Sequence, residues 1–222
     1  MNWLLEWTRE PDLTAWEQRP LTADVELGPK PGDKQDNHER IVGVEAPGQP
    51  DPTGIARRLG DAILRFDVFP PELLTGVLRR QPVEIGDTVG LRYPFVPGIH
   101  LFFAARVIAC FDETANGLWR CGFTYRTIEG HPACGEEDFV VEKELATGQV
   151  KAALRSWSRP GILIAKLTYP IMRALQVRAA GAALDHLQRL AEPAEAPALV
   201  RGSTFLPRRN VRTRLLRSDA SW

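Results

Sequence analysis

The chain predicts an α+β fold, in which a run of antiparallel strands lies between an amphipathic helix and a longer C-terminal one. Three observations carry this. Apolar residues recur at three- and four-residue steps from Ile55 to Phe66, they alternate at two-residue steps over 118–128, and a helical stripe returns over 161–190. Helices set apart in sequence from a block of strands give α+β order and not a βαβ repeat. A curved sheet gripping one long helix satisfies that order. So does a sheet with helices laid flat on it, and the pattern alone leaves both open.

Each element has its own signal. Residues 1–53 hold much of the Pro and Gly (Pro29, Pro31, Gly32, Pro47, Gly48, Pro50, Pro52) around a polar run, 34–40. This reads as an extended arm with short edge-strand pieces at 21–27 and 41–45. Ile55, Leu59, Ala62, Ile63 and Phe66 then form one helical face, stopped at Pro70 and Pro71. A further helical turn is expected over 72–78. Val83, Ile85, Val89 and Leu91 suggest a strand, and 93–98 a Pro-rich turn. Residues 101–111 are apolar on both faces apart from Arg106, as in a strand covered on each side. Asn116 followed by Gly117 marks a tight hairpin. Strands are expected at 118–128, 137–142 and 150–157, with short connections, hence an antiparallel meander. Ser158, Arg159 and Pro160 read as a helix start. The stripe beyond runs through Ile164, Leu167, Ile171, Leu175, Ala179, Ala182, Ala183 and Leu187, with Pro170 kinking or dividing the helix. The expected division is an arm over 1–53, a domain over 54–190, and a linker with an arginine-rich tail over 191–222.

Composition excludes several classes. Lys+Arg 28 balance Asp+Glu 28, which argues against a polybasic nucleic-acid binder. No apolar run approaches the roughly 20 residues of a membrane-spanning helix. The start of the chain lacks the basic and apolar regions of a secretory leader. Three cysteines, Cys110, Cys121 and Cys134, are odd in number and form no C-x-x-C pair. A disulfide framework and a structural zinc site are therefore not expected, and a reducing cytoplasmic location is.

The chemically versatile residues concentrate in 122–139. Read as a hairpin centred on Pro132, this stretch opposes Phe123 to Val141, Tyr125 to Phe139 and Thr127 to Glu137. All six share one face, which the apolar and aromatic pairs make the inner one. Glu137 then points inward, and Glu136 and Asp138 point to solvent. A carboxylate on an apolar face must be paired, hydrogen-bonded or shifted in pKa. Thr127, Tyr125, His131 and Arg159 are its candidate partners. Plainer roles compete: Glu137 tying down its loop, His131 organising the turn before Pro132, Arg159 capping or pairing. His131 and Cys134 have a weak metal-ligand spacing without further ligands, so no metal and no cofactor is expected.

This hairpin resembles an uncharacterised family, the domain of unknown function numbered nineteen-ninety. The pattern F-x-Y-x-T-L-x-G-H-P-x-x-G-E-E-x-F followed by S-R-P is met by Phe123, Tyr125, Thr127, Ile128, Gly130, His131, Pro132, Gly135, Glu136, Glu137 and Phe139, then Ser158, Arg159 and Pro160. Arg126 and Ala133 depart from it, standing where the family usually has a small residue and often an acid. The resemblance covers about 54–190. It implies a helix-grip fold similar to the START and birch-pollen-allergen superfamily, with an apolar cavity between sheet and C-terminal helix, and it implies no reaction.

The expectation is therefore a protein that binds a hydrophobic small molecule through Phe123, Tyr125, Thr127, Glu137, Phe139 and Arg159. The alternative is an enzyme of cyclase, lyase or hydrolase-like proton-transfer type using Glu137 or Glu136 as acid or base, helped by His131 and Tyr125. A third is a macromolecular interaction module using the arm and the arginine tail. Oligomeric state is left open.

Overall fold

Alternating sequence becomes, in the computed structural model, a single sheet. The structure describes residues 5–6, 12–22, 28–96, 99–161, 169–192 and 214–215. In chain order the elements are β1 (Leu5–Glu6), α1 (Thr14–Glu17), β2 (Lys34–Val44), α2 (Ile55–Leu64), β3 (Thr75–Leu78), β4 (Thr88–Val96), β5 (Ile99–Ala115), β6 (Leu118–Thr127), β7 (Ala133–Glu144), β8 (Gln149–Pro160), α3 (Tyr169–Ala191) and β9 (Arg214–Leu215). The strand order is β2-β8-β7-β6-β5-β4-β3-β9, with β1 on a further stretch of β5. Every pairing is antiparallel except β3 with β9.

Three register shifts bend the sheet, one in β2 between Ile41 and Gly43, one in β4 between Pro94 and Val96 and one in β5 between Val107 and Ala109. An extra residue on one strand raises the local twist and coils the sheet. The inner face packs on α2 and α3 in one apolar core, in which Phe123, Phe139, Val141 and Leu154 of the sheet meet Leu59 and Ile63 of α2 and Ala183, Leu184 and Leu187 of α3. This is the grip arrangement. The α2 backbone comes close to the sheet because residue 60 is glycine: a Cβ there would lie 2.9 Å from Cys121 Sγ. Asn116 and Gly117, both at positive φ, close the β5–β6 hairpin as expected.

The two-sided strand has its second cover. Phe102 and Ala104 on the outer face of β5 join Leu13, Trp16, Val77 and Ile128 in a smaller core beneath α1. Arg106, the polar interruption, donates from Nη2 to Glu17 O at 2.7 Å.

Several local expectations are corrected. Residues 34–44, read within the arm, form the 11-residue strand β2 along β8; an edge strand with charges on both faces shows no alternation. Residues 75–78, expected helical, are β3, where Gly76 lets the Phe66 ring lie against the backbone. The expected strand over 83–91 begins only at Thr88, because the Asp87 carboxylate accepts from the Glu84 amide and turns the chain. Residues 93–96, expected as a turn, extend β4. Ser158, Arg159 and Pro160 end β8 instead of starting a helix. Ile164 and Leu167 lie outside the described residues. So does the arginine tail, apart from Arg214 and Leu215.

Candidate functional site

The site grows from one row across four strands. Tyr125 of β6 pairs with Glu137 of β7, Glu137 with Ser156 of β8, and Ser156 with Asp36 of β2. Because side chains alternate, this row shares the inner face with the apolar row Phe123, Phe139, Leu154 beside it. The hairpin is centred one residue earlier than expected: Phe123 opposes Phe139 and Tyr125 opposes Glu137. The turn is tight, closed by the His131 amide donating to Ile128 O at 3.1 Å, and 133–135 belong to β7. Moving the centre by one moves each partner by two, so every residue keeps its expected face.

The Tyr125 hydroxyl donates to Glu137 Oε2 at 2.6 Å. Burial raises the Glu137 carboxyl from 4.5 to about 7, with Asp138 and Asp36 adding to the rise and the Tyr125 bond opposing it. Burial, with Glu137 beside it, also holds the Tyr125 phenol well above its ordinary value. At the end of the row both Asp36 oxygens accept from the Arg173 guanidinium of α3, which holds that carboxyl below its ordinary range. The row is thus tied to the C-terminal helix at Asp36, while Glu137 has a phenol and no cation beside it among the described residues.

Over this row lies a cavity of about 140 Å³. Phe69, Leu74, Leu91, Phe103 and Leu154 form its apolar wall, Gln176, Ala179 and Ala180 of α3 close it, and Tyr125, Glu137, Ser156 and Asp36 give it a polar side. His131 and Thr127 stand at the β6–β7 turn. Thr127 Oγ1 accepts from the Gly135 amide at 3.1 Å. Burial pushes the His131 imidazole down to about 4.

Of the residues expected to act, the structure gathers Tyr125, Thr127, His131 and Glu137 on the cavity. Phe123 and Phe139 are fully buried and stack at 5.1 Å between ring centres; they build the core beneath and do not line the space. Glu136 borders the cavity, but its carboxylate takes the Arg126 guanidinium at 2.9 Å on the opposite face. Arg159 is also on that face, 2.7 Å from Asp33; strand parity separates it from Glu137. Sequence reasoning missed Asp36, Ser156 and Arg173. Asp36 sits in an all-polar run, and only pairing with a strand more than a hundred residues away reveals its face. Among the described residues no three His, Cys, Asp or Glu side chains gather as a metal site, and no helix is long and apolar enough to cross a membrane.

Known proteins are similar to this chain in sequence or in fold. A UPF0548 protein of Dictyostelium discoideum is 30% identical over 122 residues, 52% of this chain, and the match spans only 56% of that relative's length. Similar solved structures include the hypothetical protein jhp0584 from Helicobacter pylori (16% identity, TM-score 0.48, covering 75% of this chain and 93% of that one). Another is the major latex-like protein 151 of Panax ginseng (8%, 0.46, 72% and 99%). At these identities and scores neither says what this chain binds. The family described as "Domain of unknown function (DUF1990)" matches residues 22–186, three quarters of the sequence and the whole of the Tyr125–Glu137–Ser156–Asp36 row, and the chain belongs to that family.

Proposed function

We propose that this protein binds a small, mainly apolar molecule in the cavity between sheet and α3, with the Glu137–Tyr125 pair as its polar end. One observation carries the reading: an otherwise close-packed core opens into about 140 Å³ beside a carboxyl that has no counter-ion among the described residues. Interiors rarely leave such space unfilled, and a volume of this order holds a single benzene-sized ring. The apolar wall gives affinity and the few polar groups fix orientation. Tyr125, Thr127, His131 and Glu137 are the contact residues of this reading, and Phe123 and Phe139 support them from below. Titration with toluene, followed by the thermal midpoint, tests it. A saturable rise is expected for the natural chain and none for Ala180→Leu, which fills the space from α3. Identical behaviour of the two chains, or no rise in either, would sink the reading. Mass spectrometry of what co-purifies would then identify the natural ligand.

A second reading, proton transfer on the bound molecule, draws on the Glu137 carboxyl being raised to about 7, where it can both give and take a proton. Glu137 would act as acid or base and Tyr125 would set its protonation. Exchange of solvent deuterium into a bound ketone, lost in Glu137→Gln, is the expected result; equal exchange in both chains rules it out. Cys110 and Cys121 carry free thiols, which suits the cytoplasmic location expected from sequence, and cell fractionation tests that.

A further inference from the structure

One buried polar atom of a cavity-lining residue has no hydrogen-bond partner among the described residues. The His131 ring meets Phe103 edge to face at 4.8 Å and borders the cavity. Its Nδ1 is engaged by Ala133, whose amide nitrogen lies 3.0 Å away and whose carbonyl oxygen lies 2.9 Å away. Its Nε2 is buried and has no hydrogen-bond partner among the described residues. Buried ring nitrogens are nearly always paired, because an unpaired one has given up its bond to water for nothing.

The chemistry of the missing partner follows from the ring. Burial keeps the imidazole neutral at pH 7, so one nitrogen carries the single proton. If Nδ1 accepts from the Ala133 amide, Nε2 is a donor; if Nδ1 donates to the Ala133 carbonyl, Nε2 is an acceptor. A hydroxyl group serves either case, since it both donates and accepts. A carboxylate or an ammonium serves one case each and brings an unpaired charge against an apolar wall.

We propose that His131 Nε2 is the specificity-determining contact of the cavity and selects a small ring bearing a hydroxyl group, a phenol or a cyclic alcohol. The proposal rests on the cavity being the binding site argued above. Its volume of about 140 Å³ admits one six-membered ring. The contact also lies apart from the Glu137 end. Phe103, which the imidazole touches, is four residues along β5 from Val107, the partner of Tyr125. At ~3.3 Å per residue that is on the order of 10 Å.

Phenol and benzene share a ring and differ by the hydroxyl, so their titration into the full chain, followed by NMR chemical shifts, is the test. The natural chain is expected to bind phenol about tenfold more tightly, the scale of one hydrogen bond to a buried group. In His131→Asn the side-chain oxygen takes the place of Nδ1 against Ala133 while Nε2 is lost, and the ratio should fall to near one. In His131→Gln the amide reaches the place of Nε2, and most of the preference should remain. Equal binding of phenol and benzene by the natural chain overturns the role of His131 and leaves the cavity reading standing. So does a preference that survives His131→Asn. Saturable binding of neither compound overturns the cavity reading itself and this inference with it. A natural-chain ratio near one overturns the proposal without any variant, so misfolding of His131→Asn does not shield it.

Discussion

Two ionisable side chains stand on the inner face of β7, six residues apart, and burial has opposite consequences for them. Lys143 is 1% exposed, yet its ammonium lies 2.8 Å from Glu45 Oε2 and 3.2 Å from Gln49 O. The other Glu45 oxygen accepts the Ala56 amide at 2.7 Å in the first turn of α2. Each charge is matched, and the cluster pins the loop before α2 to the sheet. Glu137 has a single phenolic donor, and its carboxyl rises to about 7. A buried charge with a complete set of partners fixes a position. A buried acid without them keeps its proton near neutrality, and here it does so against an open space.

The largest test breaks the matched cluster. Lys143→Met leaves the Glu45 carboxylate buried without its cation and should cost about 3–5 kcal/mol in urea denaturation. Adding Glu45→Gln should recover part of the loss, since the stranded charge goes with it. A single-variant loss below ~1 kcal/mol would show that the cluster is not structural in the sense argued.

Next comes the unmatched acid. Glu137 titrates near 4.5 when unfolded and about 7 when folded, so between those values the folded chain holds the extra proton. Its contribution to stability is full below pH 4.5, is lost as pH rises through 7, and totals roughly 3 kcal/mol at 1.36 kcal/mol per pH unit. His131 runs the other way: with a folded value of about 4 against 6.5, its contribution is present above 6.5 and lost as pH falls through 4. The two slopes oppose each other between about 4.5 and 6.5. Glu137→Gln removes one of them, so its stability should rise with pH over that window and exceed the natural chain's at pH 8. Urea midpoints at pH 5 and pH 8 measure this, and parallel profiles would refute it.

The same contrast separates what is legible in the sequence from what is not. The inward aim of Tyr125 and Glu137 is legible, because Phe123, Tyr125 and Phe139 alternate with the polar residues Thr124, Arg126 and Asp138 on two adjacent strands and a tight turn fixes parity. The helix over 55–64 was legible from its single apolar face. Asp36 and Arg173 were not: their meeting depends on β2 pairing with β8 across the chain, and a strand with polar residues on both sides carries no period. Lys143 was hidden for the same reason, its partner Glu45 lying 98 residues away on a loop. Strand parity also separates Arg159, a candidate partner of Glu137 in the sequence, from that carboxyl.

A smaller effect tests the phenol. Tyr125→Phe removes the one hydrogen bond that lowers the Glu137 value, so the carboxyl midpoint should climb above 7 by an amount set by one bond to a charged group, about 1.5 kcal/mol. Carbon-13 NMR titration of the glutamate carboxyls reads this directly. A midpoint that stays put or falls would mean that Tyr125 does not set the proton on Glu137.

The smallest effect belongs to the neighbouring residue, and it isolates the face of the sheet from the sequence position. Glu136 and Arg126 form an ion pair 2.9 Å long with each side chain 22% exposed. A pair that water still reaches gains little over its two hydrated parts, so a double-mutant cycle on Arg126→Gln and Glu136→Gln should give a coupling of at most ~1 kcal/mol. That coupling should shrink in 1 M salt, where the screening length is only about 3 Å. The pH slope set by Glu137 should survive Glu136→Gln, because its main source is burial on the other side of the strand. Loss of that slope in the Glu136 variant would mean that the two carboxylates titrate as one group, and that the strand does not separate them as its pleat implies.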